Sequence, residues 1–418
     1  MKAIGITCGI GSMLQGAKAA GFDVIGNIEW RKYYHKRDTE GRNTFRENYP
    51  GAFLSLSIDD VDVEALRGTI DLAMGHPECG KYSQMNVYNK GYAEGLKDPG
   101  DIPLFCEMVD ALQPRFFVMD DLPKSLGAFT MEDYARMMPG YDLYPEWISN
   151  YHYGNCQKNR RRLFMIGALK SEEFVFRPGE FMHDIAIKDV IGDLLDTAGD
   201  GMNGHNVHVL DENCGKGKSC LELDRKETWR TVQKQFLDGI REGDRLFYWA
   251  KDGARKPRIG FGTGYWNAHS HVLDGGSAAL HPIHKIPLTV RERARIQGFA
   301  DDFLFYGIKT DEEGKWNIEK NSDLVKQTGK AMPIQFCTYA AFLVATHLGK
   351  AFMPKEMITG KRCAKDNPEI DAAKFWFCDN IGYADQEGAC QACWLRTQCK
   401  KLHDQIDLPE TEVEDATV

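Results

Sequence analysis

Residues 1–130 alternate short apolar and β-branched runs with helix-forming stretches, and a glycine-rich turn interrupts the first alternation. That rhythm constrains the fold more than any other feature. Parallel strands need a long crossover, usually a helix, between each pair. Positions 3–7 read as a buried strand, Cys8-Gly9-Ile10-Gly11-Ser12 as a tight turn, 13–20 as a helix, and 23–29 as a second strand ending in an acid. Further strands are expected at 71–75 and 116–120, the latter after a helix at about 104–112. The expectation is a doubly wound α/β domain over 1–169. Residues 170–285 lose the rhythm and carry more Gly, Trp, Lys and Arg, so they read as a second, smaller domain. Helical patterning returns over 286–352. A Cys-rich stretch follows at 355–402, then an acidic tail at 403–418. No internal repeat or low-complexity segment is visible.

At 418 residues the chain has room for two or three domains, and 43% hydrophobic with 27% charged residues excludes a largely disordered chain. No apolar run approaches the ~18–20 residues that span a bilayer. The first residues read as a strand rather than a signal peptide, so a cytoplasmic protein, expected to be a monomer with no membrane partner, follows (host cytoplasm if phage-encoded). A net charge of −9 argues weakly against nucleic acid as a partner. Its distribution removes that argument. The tail holds six acids and no Lys or Arg, leaving −3 for residues 1–402. Within 216–258 twelve Lys/Arg stand against seven Asp/Glu, interleaved with Trp229, Phe236, Phe247, Tyr248 and Trp249. Phosphate contacts and base stacking need such residues, although a solvated surface has the same composition.

Five constellations carry chemistry. Gly9 and Gly11 let backbone approach a nucleotide, while the acid Glu29 ending the next strand can accept from ribose hydroxyls. Gly75-His76-Pro77-Glu78-Cys79-Gly80 puts a thiol in a loop at the carboxyl edge of the sheet, where ligands bind. Met119-Asp120-Asp121 brings carboxylates to the same edge, and Arg160-Arg161-Arg162 adds cations that raise thiolate character nearby. Of twelve cysteines, five crowd the last 56 residues (Cys363, Cys378, Cys390, Cys393, Cys399). Cys390-x-x-Cys393 with two further thiols is a four-ligand metal pattern; unrelated buried thiols are the alternative.

In this order and spacing, the chain resembles the DNA (cytosine-5) methyltransferases from about residue 3 to 345. The segment Leu288-Thr289-Val290-Arg291-Glu292-Arg293-Ala294-Arg295-Ile296-Gln297-Gly298-Phe299 is similar to the family's Thr-x-Arg-Glu-x-Ala-x-x-Gln-Gly-Phe helix. Gln327-Thr328-Gly329-Lys330-Ala331-Met332-Pro333 resembles its Gln-x-Gly-Asn-Ala-Val-Pro. The resemblance implies a Rossmann-like domain that takes S-adenosylmethionine, with 170–285 as target-recognition domain and double-stranded DNA as partner. It implies a covalent mechanism in which the Cys79 thiolate adds to cytosine C6, Asp120 holds the ring, Arg160 and Arg162 position the base and stabilise the thiolate, and the base is flipped out of the stack. Thr7, Gly9, Ile10, Gly11, Glu29, Trp30, Ile58, Asp59, Pro77 and Lys330 would surround the cofactor.

The departures are specific. Glu78 stands as an insertion between Pro77 and Cys79, or else replaces the nucleophile. Asp120-Asp121 replaces Glu-Asn. Counting back from Leu163-Phe164 puts the family's Gln on Lys158, with Gln157 one residue off. Lys330 replaces an Asn beside the cofactor. An ammonium there would repel a sulfonium and attract a carboxylate, so carboxy-S-adenosylmethionine is an alternative donor, giving 5-carboxymethylcytosine. A second resemblance, to the WhiB-like iron–sulfur domains, covers about 40 residues and implies a 4Fe-4S cluster on Cys363, Cys390, Cys393 and Cys399, with zinc as the alternative. The rival to an enzyme is a DNA-binding regulator whose catalytic site has decayed.

Overall fold

Asp71 and Arg115 begin two neighbouring runs of apolar residues that lie side by side as parallel strands, the centre of a seven-stranded sheet. The computed structural model describes residues 1–29, 39–55, 57–77, 79, 101–158, 160–176, 185–195, 245–248, 258–270, 272–273, 279–283, 288–305 and 321–350. The sheet is built from β1 (Lys2–Ile6), β2 (Asp23–Ile28), β3 (Phe53–Ser55), β4 (Leu72–Gly75), β5 (Phe116–Asp121), β6 (Tyr141–Ser149) and β7 (Arg161–Leu169). Its order is β3-β2-β1-β4-β5-β7-β6; the first five strands are parallel, while β7 runs antiparallel to both of its neighbours.

The helices α2 (Thr39–Asn48) and α3 (Val63–Leu66) lie in the connections around β3. Alternation along each strand sorts side chains onto two faces. Leu72, Met74, Phe116, Val118, Phe164 and Ile166 face one apolar cluster, shared with α1 (Ser12–Ala19) and the last helix, α9 (Ile334–His347). Ala73, Phe117, Met119 and Met165 face the other, under α4 (Ile102–Leu112) and α5 (Met131–Met137). The result is a helix–sheet–helix sandwich, the doubly wound α/β arrangement. Gly16 lets α1 and α9 touch backbone to backbone: a Cβ there would stand 2.5 Å from the Thr338 nitrogen. The end of the described chain thereby packs on its beginning.

The expected strands all form, with small differences at their ends. β1 stops at Ile6 because Thr7 turns to φ 57°, outside any strand conformation. β5 continues through Asp121, so both acids belong to the strand, paired opposite Phe164 and Leu163 of β7. Within 170–285, α6 (Ile187–Ile191) and a three-stranded sheet of β8 (Arg245–Tyr248), β9 (Arg258–Thr263) and β10 (Ala279–Leu280) are described. α7 (Val290–Gln297) and α8 (Asn321–Lys330) follow. Trp30, Glu78, the side chain of Ile58, most of 216–258, the four cysteines Cys363, Cys390, Cys393 and Cys399, and the acidic tail lie outside the described residues. No helix among the described residues is long and apolar enough to cross a membrane.

Candidate active site

The turn after β1 and the acid ending β2 form one unit. Gly9 and Gly11 both take positive φ, and the Gly9 N–H donates to Glu29 Oε1 at 2.6 Å. Asn27 Nδ2 donates to the same oxygen at 2.8 Å, and the Asn27 Oδ1 accepts from Cys8 N–H. A Cβ on Gly11 would stand 2.4 Å from the Tyr49 ring, whose hydroxyl donates to Gly11 O. A Cβ on Gly9, by contrast, would meet nothing within 4 Å. The turn thus opens on one side beside a fixed buried carboxylate, a shape that fits a nucleoside. Ile10 has its side chain in the apolar core, Thr7 caps the end of β1, and Asp59 is exposed, accepting from the Ser57 hydroxyl.

The thiol stands at the same edge of the sheet. Two residues past β4 lies the buried Pro77, and Cys79 Sγ is 3.5 Å from His76 Nε2. His76 Nδ1 lies 3.0 Å from Asp120 Oδ2 and 3.1 Å from the Asp120 carbonyl. Asp120 is fully buried, and Arg162 grips it through Nε (2.8 Å to Oδ1) and Nη2 (2.5 Å to Oδ2). The sheet explains this grip. Asp120 faces Phe164, so Arg162 is its diagonal neighbour on the same face, within reach of a long side chain. Arg162 Nη1 also stands 3.9 Å from Cys79 Sγ, and Nη2 contacts Met332 Sδ.

Burial would push the Cys79 thiol up, but His76 and Arg162 outweigh it and bring its pKa down to about 7. Burial likewise opposes ionisation of Asp120, and Arg162 and His76 still hold its carboxyl below the usual carboxylate range. Asp121 goes the other way: burial, with the neighbouring thiol, pushes its carboxyl well above the usual carboxylate range. Its Oδ1 accepts from Leu122 N–H at 2.5 Å, and its Oδ2 has no partner among the described residues.

The structure separates the two arginines that the sequence pairs. Arg162 joins the thiol and Asp120. Arg160 is buried too, but it donates to Leu273 O at 2.8 Å and Ala331 O at 2.5 Å, tying two crossing segments together. The register beside them also needs correcting. Gln157, not Lys158, holds the buried amide position: it donates to Ile296 O and Gln297 Oε1, and accepts from Leu273 N–H. Lys158 is exposed, with its ammonium 5.8 Å from the Tyr151 ring centre. The count back from β7 misses because a side chain's burial depends on how the preceding turn feeds the strand, which spacing does not encode.

Behind the site, α7 opens on a capping box: Glu292 N–H donates to Thr289 Oγ1 and Thr289 N–H to the Glu292 carboxylate. Gln297 then donates to Thr328 O of α8. Lys330 ends α8 and is exposed. Two residues on, the Met332 N–H donates to Ser12 Oγ at 3.1 Å, so this segment abuts the glycine turn.

With a glycine turn, a lowered thiol and an arginine-held acid on one edge, the comparison with known families is decisive: residues 1–341 match the C-5 cytosine-specific DNA methylases. The chain belongs to that family. Type II methyltransferase M.NgoPII of Neisseria gonorrhoeae is 27% identical over 354 residues, covering 80% of this chain and 92% of its own length. M.DdeI of Desulfomicrobium norvegicum is 24% identical over 379 residues, covering 80% and 86%. The solved methyltransferase EhMeth of Entamoeba histolytica shares the fold at TM-score 0.50 and 11% identity, over 83% of this chain and 98% of that one. Among the described residues of this C-5 cytosine-specific DNA methylase, no group of three or more His, Cys, Asp or Glu could hold a metal.

His76 is the site residue that sequence reasoning passed over. It stands in the quoted loop without a role. The available signal was a histidine three residues before a thiol and ahead of a proline, in a loop leaving the carboxyl end of a strand.

Proposed function

We propose that the chain transfers a group from S-adenosylmethionine to C5 of cytosine in double-stranded DNA through a covalent bond between Cys79 and C6 of a flipped-out base. The observation that carries this reading is the Cys79 thiol, drawn toward thiolate between His76 and the Arg162 guanidinium. C5 of cytosine is a weak nucleophile, and thiolate addition at C6 gives it the electron pair it lacks. Asp120 would accept from the base's amino edge. Gly9, Gly11 and Glu29 would hold the nucleoside of the donor, which supplies a methyl group activated on a sulfonium. Residues 1–169 with 286–352 would form the catalytic unit, and 170–285 would read the target.

The test is covalent trapping on DNA carrying 5-fluorocytosine, with Cys79→Ala as the control. Trapping by wild type and none by Cys79→Ala is the expected result. No trapping by wild type with any donor would leave the rival reading, a DNA-binding regulator.

Lys330 carries a second reading of the donor. Its place at the end of α8, two residues before the Met332–Ser12 contact, sets an ammonium on the segment that abuts the glycine turn. A carboxylate on the transferred carbon would be attracted there, so we include carboxy-S-adenosylmethionine as donor and 5-carboxymethylcytosine as product. Weighing the nucleosides of product DNA after reaction with each donor decides; 5-methylcytosine alone from both would refute it. The C-terminal Cys363, Cys390, Cys393 and Cys399 are read as an iron–sulfur or zinc site. An absorption spectrum with metal analysis of anaerobically purified protein distinguishes the two.

A further inference from the structure

We infer that His76 is a catalytic residue of this enzyme, taking the thiol proton of Cys79 at Nε2 while Asp120 orients its ring through Nδ1. The inference rests on the reading of Cys79 as the nucleophile. It adds a base dedicated to that thiol.

The ring's orientation follows from its neighbours. Nδ1 faces two acceptors, Asp120 Oδ2 at 3.0 Å and the Asp120 carbonyl at 3.1 Å. A bare nitrogen there would be repelled by both, so Nδ1 carries a proton. Nε2, on the far side of the ring, is then the basic nitrogen in the neutral form, and it lies 3.5 Å from Cys79 Sγ. Arg162 Nη2, 3.3 Å from Nδ1, is a donor that shares Asp120 Oδ2 with the ring rather than competing for Nε2. Acid, imidazole and thiol thus stand in line, the arrangement in which a base is oriented by a third group. His76 is partly exposed, at 19% of its side chain, whereas Asp120 is fully buried. The ring is therefore open on one side, while its orienting acid is enclosed in the core.

The charges around the pair favour its ionised form. Asp120 and Asp121 approach from β5 and Arg162 from β7; the Arg162 guanidinium holds the Asp120 carboxyl down, Asp120 keeps Arg162 cationic, and burial pushes the Asp121 carboxyl up. Cys8 and Cys337, the other thiols that feel Asp120, are buried and pushed well up, so they stay neutral. Moving the proton from Sγ to Nε2 leaves thiolate beside imidazolium, with the ring's new charge held by Asp120. The thiolate pair then forms the Sγ–C6 bond while the C5=C6 π pair moves to C5 and bonds the transferred carbon, the donor's sulfur leaving as a neutral thioether. When the C5 proton later leaves to water, its bonding pair re-forms C5=C6, the Sγ–C6 bond breaks, and the thiolate returns beside the imidazolium.

The experiment reads Cys79 directly, without DNA or donor: the pH dependence of its alkylation by iodoacetamide, followed by peptide mass spectrometry. In wild type the rate should reach half its plateau near pH 7. In His76→Gln the midpoint should rise toward about 8.5, the ordinary thiol value, and trapping on 5-fluorocytosine DNA at pH 7 should slow by roughly 10²-fold. His76→Asn separates chemistry from scaffolding, since its amide can still donate to Asp120 but cannot reach Sγ. It should behave like the Gln variant. A midpoint that stays near pH 7 in both variants, or one restored by Asn, overturns the proposal. Should neither variant fold, wild type decides through histidine ¹⁵N spectra. The signal that moves in Cys79→Ala must be imidazolium at pH 8; a neutral ring there also overturns it. Absence of trapping by wild type would sink the proposed function instead, and the alkylation midpoint would still report on His76.

Discussion

The parallel strands β1, β4 and β5 and the antiparallel strand β7 meet at one edge of the sheet but deliver their chemistry differently. On the parallel side every contribution comes at or just past a strand's carboxyl end. The glycine turn follows β1, His76 and Cys79 follow β4, and Asp120 and Asp121 close β5. β7 runs the other way and presents its amino end, so its arginines enter as alternate positions at the strand's start. Arg160 and Arg162 are buried, while Arg161 between them is exposed. A loop can carry a nucleophile that must meet a substrate. A strand fixes a side chain by its register on both sides, which suits a charge that must stay in place. The thiol is therefore the adjustable member of the site and Arg162 the rigid one.

Replacing the rigid member should have the largest effect. Arg162→Met keeps the side chain's bulk and removes its charge, leaving Asp120 buried without the guanidinium that grips both its oxygens. Breaking such a pair costs on the order of 3–5 kcal/mol, read by urea unfolding. Trapping should fall by roughly 10²–10³-fold. The exposed neighbour supplies the control: Arg161→Met should stay within about 0.5 kcal/mol. The wild-type pH profile belongs to the same test. A carboxyl with a lowered folded-state pKa contributes stability above its unfolded value near 3.9, and that contribution fades as pH falls through the folded value. Acidification below about pH 4 should thus cost wild type more than Arg162→Met. Equal acid slopes would mean that Arg162 does not hold Asp120 ionised.

Arg160 sharpens the contrast within β7's own approach. Its guanidinium donates to two carbonyls of the described residues, Leu273 O and Ala331 O. Arg160→Met should cost about 1.5–3 kcal/mol for charged hydrogen bonds lost in the interior. Trapping should fall less than for Arg162→Met, because Arg160 acts through the segment that carries Met332. A trapping loss as deep as that of Arg162→Met would place Arg160 on the base itself.

The fold was legible because its signals are local and periodic: the glycine turn and the β-branched runs alternating with helical stretches. Asp120 and Arg162 were legible by order and spacing, and they meet because antiparallel register makes them diagonal neighbours. Three features were not legible, each for its own physical reason. The His76–Cys79 contact joins side chains three residues apart outside any regular element, Nε2 lying 3.5 Å from Sγ, so no periodicity announces it. The division of labour between Arg160 and Arg162 depends on Leu273 and Ala331, more than a hundred residues away. The Gln157 register depends on α7 closing over the strand's approach.

That register gives the finest test of the comparison between loop and strand. Gln157 lies in the turn feeding β7, yet it is as buried as a strand residue because its amide meets three partners at once: Ile296 O, Gln297 Oε1 and Leu273 N–H. Gln157→Leu keeps the volume and removes the amide from all three; Ile296 O keeps its bond from Asn155 Nδ2, while Gln297 Oε1 and Leu273 N–H lose the partner that Gln157 supplies. The expected cost is about 1–3 kcal/mol in urea unfolding, since a buried group that loses its partner keeps its desolvation penalty. Lys158→Leu, one residue on and exposed, should change stability by no more than about 0.5 kcal/mol. The reverse order, with Lys158 the costly position, would mean that the count back from Leu163 is right and that the turn enters the strand one residue earlier. Because Gln297 also donates to Thr328 O, the Gln157 variant should weaken the α7–α8 contact as well. A double-mutant cycle of Gln157→Leu with Thr328→Val asks instead whether the Thr328 side chain takes part. Because the Thr328 carbonyl is backbone and survives the second substitution, the two losses should be close to additive, within about 0.5 kcal/mol. A larger interaction energy would show that the Thr328 hydroxyl, which accepts from Arg293 Nε at 3.1 Å, belongs to the same network as the Gln157 amide.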